Sequence, residues 1–183
     1  MALKSTICKA DLQISDLDRH YYQAHNLTLA RHPSETDERM MVRLFAFALY
    51  ANEALAFGKG LSAEDEPDLV ELDPTGAIQR WIDVGLPDER NVRRACHRTR
   101  EMVLITYGGR VADMWWAQNE SKFNTLNNLT VLNLSAEEGA VLASLAGKSM
   151  RLQCTIQDGT IWLADGEGNY EFAPRVLRQA AQR

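Results

Sequence analysis

Two aspartates, Asp68 and Asp83, stand on either side of Asp73-Pro74-Thr75-Gly76, a turn signal with Pro at its second place and Gly at its fourth. The flanking runs, residues 66–72 and 77–84, read as two strands of a hairpin. If the turn closes directly, Leu72 faces Ala77 and Asp68 faces Trp81, with Asp83 as the diagonal neighbour on the same face. Diagonal neighbours sit about 7–8 Å apart at the backbone, so two carboxylates can lean onto one ion. The reading depends on register, since a slip of one residue puts them on opposite faces. Glu38 is a third candidate. It lies three residues before Met41 and seven before Phe45, on the core-directed face of a predicted helix, where a half-buried acid needs a partner or an ion. Three oxygen ligands with open water positions suit Mg²⁺ or Mn²⁺. Set against this, acids before a helix usually cap it and acids beside turns are usually solvated.

A basic stripe follows. Arg90, Arg93, Arg94 and His97 share one face of a helix opened by Pro87-Asp88-Glu89, while Val92, Ala95, Cys96 and Thr99 share the other. That pattern describes a solvated face over a packed one. It also describes a phosphate-binding stripe, with Arg90 in the first turn, right after the strand that bears Asp83. The four histidines show no ligand spacing, and Ser34 reads as a helix cap. There is no Walker loop and no G-x-G-x-x-G. Trp115, Trp116 and Phe123 read as packing.

These side chains need a frame. Residues 3–15 and 21–30 read as a strand pair. Ser34, with Asp37 three residues on, starts a helix that is expected to run to about residue 57 and stop near Gly58 and Gly60. After the carboxylate hairpin and the basic helix come a strand at 102–107, a helix at 111–123 and a strand at 129–134. Ser135-Ala136-Glu137-Glu138 is a capping box for a short helix ended at Gly147. Strands at 150–157 and 160–164 flank Asp158-Gly159, a type I′ hairpin signal. The order ββ-α-ββ-α-β-α-β-α-ββ predicts a mixed α/β (α+β) fold, a mixed sheet flanked by helices.

Composition sets outer bounds. The 183 residues are 45% hydrophobic and 25% charged, as expected of one globular domain. Cys8, Cys96 and Cys154 are scattered and odd in number, which argues against a disulfide framework or structural zinc and fits a cytoplasmic protein. Lys4, Lys9 and Asp11 break up the first residues, and the longest apolar run, 44–51, is too short to span a bilayer, so no membrane partner is expected. A net charge of −5 disfavours a wide non-specific grip on nucleic acid.

Several long strings resemble those of one bacterial family. They are Leu27-Thr28-Leu29-Ala30-Arg31-His32-Pro33-Ser34-Glu35-Thr36, Glu38-Arg39-Met40-Met41, Asp65-Glu66-Pro67, Trp81-Ile82-Asp83, Gly85-Leu86-Pro87-Asp88-Glu89-Arg90, and Thr155-Ile156-Gln157-Asp158-Gly159 with Ile161-Trp162. On these the chain is similar, over essentially its whole length, to the YaeQ family. The resemblance implies a core like that of the PD-(D/E)XK nucleases, with added hairpins. Glu38 then looks like the helix acid, Pro67-Asp68 like the PD element, and Asp83-Val84-Gly85 like the third element, with Gly85 where lysine is expected. Arg90 or Arg94 would have to replace that lysine, and arginine, which keeps its proton, stabilises charge but is a poor base. Two functions follow as expectations. One is a Mg²⁺- or Mn²⁺-dependent phosphodiesterase acting on DNA or RNA. The other is a nuclease-like binding or regulatory module that has lost its reaction and meets a protein or nucleic-acid partner. Oligomeric state is left open.

Overall fold

The computed structural model describes residues 4–59 and 65–182. Its organising element is α1 (Asp37–Tyr50), in which every residue from Met40 to Ala48 is buried. A helix apolar on all sides must be covered on all sides. Here it lies between two mixed sheets and beside α4 (Ala136–Ser144).

One sheet holds β1 (Thr6–Asp16), β2 (Tyr21–Arg31), β8 (Ser149–Gln157), β9 (Thr160–Ala164) and β10 (Asn169–Phe172), in the order β10-β9-β8-β1-β2. Strict alternation sends Cys8, Ala10, Leu12 and Ile14 of β1 toward α1 and leaves the other face to solvent. β1 runs antiparallel to β2 and parallel to β8. Asp158 and Gly159 have φ of 53° and 75°, as the type I′ turn between β8 and β9 requires.

The other sheet has the order β11-β7-β6-β5-β4-β3, from β3 (Leu55–Phe57), β4 (Leu69–Leu72), β5 (Ile78–Val84), β6 (Glu101–Thr106), β7 (Leu129–Asn133) and β11 (Arg175–Arg178). β5, β6 and β7 are parallel, joined by α2 (Glu89–Arg98) and α3 (Arg110–Asn119). The four residues Met102 to Ile105 are all buried, as parallel strands covered on both faces require. Val103 and Ile105 face α1, while Met102 and Leu104 pack with Val92, Trp81 and Phe123 on the α2 side.

Four details differ from the sequence reading. There are two mixed sheets in place of one, because β8 and β9 join β1 and β2 and not the strands β4 to β7; β10 and β11, which carry no strong sequence signal, add one edge strand to each. α1 is capped by Thr36, whose hydroxyl accepts from Arg39 N, while Ser34 Oγ bonds to His32 Nδ1 at 2.6 Å. α1 ends at Tyr50, short of the expected 57: Asn52 Oδ1 accepts from Ala54 N and Leu55 N at 2.8 and 2.9 Å, and this side-chain turn releases 55–57 as β3. The helix expected over 111–123 ends at Asn119 and tightens into a 3-10 turn at Glu120–Phe123. Leu3 and Gly60, which bounded two expected elements, lie outside the described residues.

Arg43 is the exception inside α1, a charge only 2% exposed. Its Nε and Nη2 donate to Glu35 at 3.0 and 2.6 Å, and Nη2 also donates to Ala30 O at 3.1 Å. Breaking such a pair strands a charge out of water. Glu35→Ala should therefore lower unfolding stability by about 3–5 kcal/mol in urea titrations. Glu35→Leu combined with Arg43→Met, which removes both charges, should recover most of that loss.

Candidate functional site

The carboxylate hairpin forms with a register of its own. Leu72 pairs with Ile78, a bulge follows, and Glu71, Val70 and Leu69 pair with Arg80, Trp81 and Ile82. The turn is wider than a direct closure because Asp73 Oδ1 accepts from Thr75 N and Ala77 N at 2.8 and 3.0 Å. One step past the Leu69–Ile82 pair, Asp68 stands opposite Asp83 rather than Trp81. Asp68 is also pinned from the other side, where Gly58 N donates to Asp68 O at 2.8 Å. Only glycine fits at 58, since a Cβ there would come within 1.9 Å of Pro67 O.

Each aspartate ties down the other's strand. Asp68 N donates to Asp83 Oδ1 at 3.2 Å, and Val84 N donates to Asp68 Oδ2 at 2.9 Å. The remaining oxygen of Asp68 accepts from Arg39 Nη2 at 2.8 Å. Arg39 Nη1 donates at 2.7 Å to Glu35, which Arg43 holds from the other side. The result is one chain of charges, Arg43–Glu35–Arg39–Asp68, with Asp83 at its end.

The electrostatics follow from this order. Burial pushes Asp83 up from the usual carboxylate range to about 7, and the neighbouring Asp68 charge adds to the push. The Trp81 indole, the Asp68 N–H and Arg39 pull the other way and lose. Trp81 Nε1 is buried without an acceptor in hydrogen-bonding geometry, so its approach to Asp83 falls short of a hydrogen bond. Burial works against the Arg39 charge, but Asp68 and Glu35 outweigh it and raise its pKa. Tyr107, which follows β6, feels Arg39, Glu38, Glu35 and Asp68; burial first of all lifts it to about 12, so it stays a neutral phenol.

Of the residues singled out by sequence, Asp68 and Asp83 come together. Glu38 turns to α4: a Cβ on Gly139 would lie 2.9 Å from Glu38 Oε1. Among the described residues no three His, Cys, Asp or Glu side chains are grouped to hold a metal ion. Arg94 pairs with Asp65, and Arg90 is exposed with its N–H on the Asp88 cap at 3.1 Å. Of the other stripe members, Arg93 donates to Glu89 at 2.9 Å and His97 is exposed, while Arg98, outside the stripe, lies over the Trp81 ring at 5.1 Å. The cation beside the aspartates is Arg39. Its signal was in the sequence, since Glu35, Arg39 and Arg43 repeat at i, i+4 and i+8, the spacing of one helix stripe.

A family model described as YaeQ protein matches residues 1–174. The YaeQ protein of Escherichia coli K12 is 49% identical over 171 residues, covering 93% of this chain and 94% of its own. That of Salmonella typhi is 48% identical, covering 98% and 99%. Crystal structures of YaeQ proteins from Xanthomonas axonopodis pv. citri and Pseudomonas syringae superpose with TM-scores of 0.92 and 0.91 at 48% and 37% identity. These cover 97% and 96% of this chain, and 99% and 97% of their own.

Asp83 yields a pH prediction. Its carboxyl titrates near 3.8 when unfolded and about 7 when folded. Below the lower value both states hold the proton. Between the two values only the folded state does, so stability falls as pH rises through that window and is flat above it. Asp83→Asn removes the titration. It should stabilise the protein at pH 8 by about 1–4 kcal/mol relative to its effect at pH 4, measured by urea unfolding.

Proposed function

The chain belongs to the YaeQ family, and from that premise we propose that it is a nuclease-like scaffold acting as a non-catalytic binding or regulatory module, with an internal guanidinium where a metal-dependent enzyme would keep its ion. One observation carries the reading. Both oxygens of Asp68 are already taken, by Arg39 Nη2 at 2.8 Å and Val84 N at 2.9 Å. A resident Mg²⁺ is commonly held by one or two carboxylates, with water filling the rest of its shell; among the four oxygens of Asp68 and Asp83 only Asp83 Oδ2 has no hydrogen-bond partner among the described residues, and an ion there would have to displace Arg39 from Asp68, so this donor set does not fit one. Gly85 supports the same reading. Its φ is +107°, a conformation L side chains resist. The lysine of the nuclease motif would sit there only at a cost of about 1–3 kcal/mol, although space is open. The partner, a protein or a nucleic acid met in the cytoplasm, is part of the proposal.

A Mg²⁺- or Mn²⁺-dependent phosphodiesterase acting on DNA or RNA is the second reading. What favours it is Asp83, adjacent to Asp68 and ionisable near neutral pH. An ion there would drive off the Asp83 proton and compete with Arg39 for Asp68. Calorimetry with Mn²⁺ at pH 8 separates the two. The binding-module reading expects the same small heat from wild type and from Asp68→Asn combined with Asp83→Asn, and no cleavage of DNA or RNA. Mn²⁺ heat and cleavage that both vanish in Asp83→Asn would instead establish the enzyme.

A further inference from the structure

The outermost strand of a sheet carries backbone groups with no neighbour, and such an edge takes up another strand unless something guards it. Three of the four sheet edges are short: β3 has three residues, β10 and β11 four each. β2 has eleven, all paired with β1 without a bulge. It contains no proline, no lysine and no acid, and its one fixed charge, Arg31, stands at its end. Burial lowers the pKa of His25, so that residue adds no charge at neutral pH. None of the usual guards of an edge is in place on β2.

The register tells which groups are open. Lys9 N donates to Lys148 O and, just past the strand, Leu17 N donates to Ile156 O, both at 2.8 Å, so the odd-numbered residues of β1 turn their backbone groups toward β8. The even-numbered residues of β1 bond to β2, and their partners there are the odd-numbered ones from Tyr21 to Arg31. Tyr22, Ala24, Asn26, Thr28 and Ala30 therefore point their N–H and C=O groups outward. In agreement, Ala30 O accepts from Arg43 Nη2 of α1 at 3.1 Å. The backbone groups of Tyr22, Ala24, Asn26 and Thr28 have no hydrogen-bond partner among the described residues.

The side chains of this edge complement themselves. Laid antiparallel on a second copy about a two-fold axis at Asn26, β2 sets Asn26 opposite Asn26, Ala24 opposite Thr28 and Tyr22 opposite Ala30. Tyr22 is 58% exposed, and Ile7, the β1 partner of Ala30, is 53% exposed on the same sheet face. Ala30 is small, so an incoming Tyr22 can lean across it onto Ile7. The two-fold thus covers two exposed apolar side chains of each copy at once, at both ends of the strand. In the same register every residue of β2 is opposed, Arg31 meets Tyr21, and no like charges face each other.

We propose that the chain forms a two-fold dimer by antiparallel pairing of β2 with β2 of a second copy, joining two five-stranded sheets into one. The dimer stands independently of the role proposed for Asp68 and Asp83.

Sedimentation equilibrium of the full chain tests it. A single strand pair is smaller than a standard interface, so a Kd on the order of 10–100 µM is expected, with monomer dominant at about 5 µM and dimer at about 500 µM. Asn26→Lys sets lysine directly opposite lysine at the axis and should weaken association at least about tenfold. Its melting temperature at about 5 µM should be unchanged, because the Asn26 side chain is exposed. Opposed residues of a hydrogen-bonded pair have Cα atoms about 5.5 Å apart, within reach of a disulfide. Asn26→Cys should therefore cross-link two copies on mild oxidation, whereas Thr28→Cys, which faces Ala24, should not. Cys8, Cys96 and Cys154 are buried and do not compete. A monomeric mass across the whole range overturns the dimer and leaves the edge to an extended segment of another protein. A dimer unaffected by Asn26→Lys, or an Asn26→Cys chain that cross-links no better than Thr28→Cys, overturns the pairing of β2 on itself.

Discussion

Glu35 sits 3% exposed between two guanidiniums, and much of the molecule is arranged around keeping it there. Arg43 holds it from inside α1 and Arg39 from one turn earlier. Taking a carboxylate and two guanidiniums out of water is expensive, and only complete hydrogen bonding offsets it. The pairing therefore demands that the chain between β2 and α1 follow one path, so that Glu35 lies back along the helix. Glu35 N donates to His32 O at 2.9 Å and Arg31 Nε donates to Glu35 O at 3.1 Å, which fix that path. Because Arg43 also reaches Ala30 O, the same residue ties α1 to the edge of one sheet, while Arg39 ties it to the other.

Counting charge along this network explains its far end. Arg43 and Arg39 contribute two positive charges, and Glu35 and Asp68 two negative ones, so these four are neutral together. Asp83 is the fifth member and has no cation left. A carboxylate in that position is buried beside another carboxylate, and the Trp81 indole, the Asp68 N–H and the field of Arg39 together do not offset this. Asp83 therefore holds its proton up to about pH 7. The difference in partners comes from Arg39, which reaches Asp68 directly.

The elements were largely legible in the sequence, because caps, turn dipeptides and hydrophobic period are local signals. Asp88 caps the helix that Pro87-Asp88-Glu89 was expected to open, and Ser135 and Glu138 form the expected capping box. The meeting of Asp68 and Asp83 was legible too, for a reason that survives an error. Direct closure of the turn places Asp68 opposite Trp81; the wider turn and the bulge together move the register by two residues. A shift of two preserves which residues share a face, where a shift of one would not. What local signals could not supply was the destination of long side chains. The cation at the aspartates comes from α1 instead of from α2, because Arg94 is drawn away by Asp65, and Glu38 is accommodated by a glycine on α4. Those outcomes depend on the packing of elements remote in sequence.

Gly85 and Arg39 then belong to one argument. β5 ends as Gly85 N donates to Ile105 O at 2.9 Å, and the backbone turns there with positive φ toward the start of α2. A side chain at 85 would have to adopt that strained conformation, so a cation delivered from the strand is disfavoured by the backbone itself. A cation delivered from a helix carries no such cost, and Arg39, in the first turn of α1, is placed to provide it. Yet an arginine there cannot serve as a lysine would. It keeps its proton, and its fork is already divided between Glu35 and Asp68. The Arg39 guanidinium is thus committed to holding α1, Glu35 and Asp68 together, and that commitment is the physical argument behind the binding role proposed above.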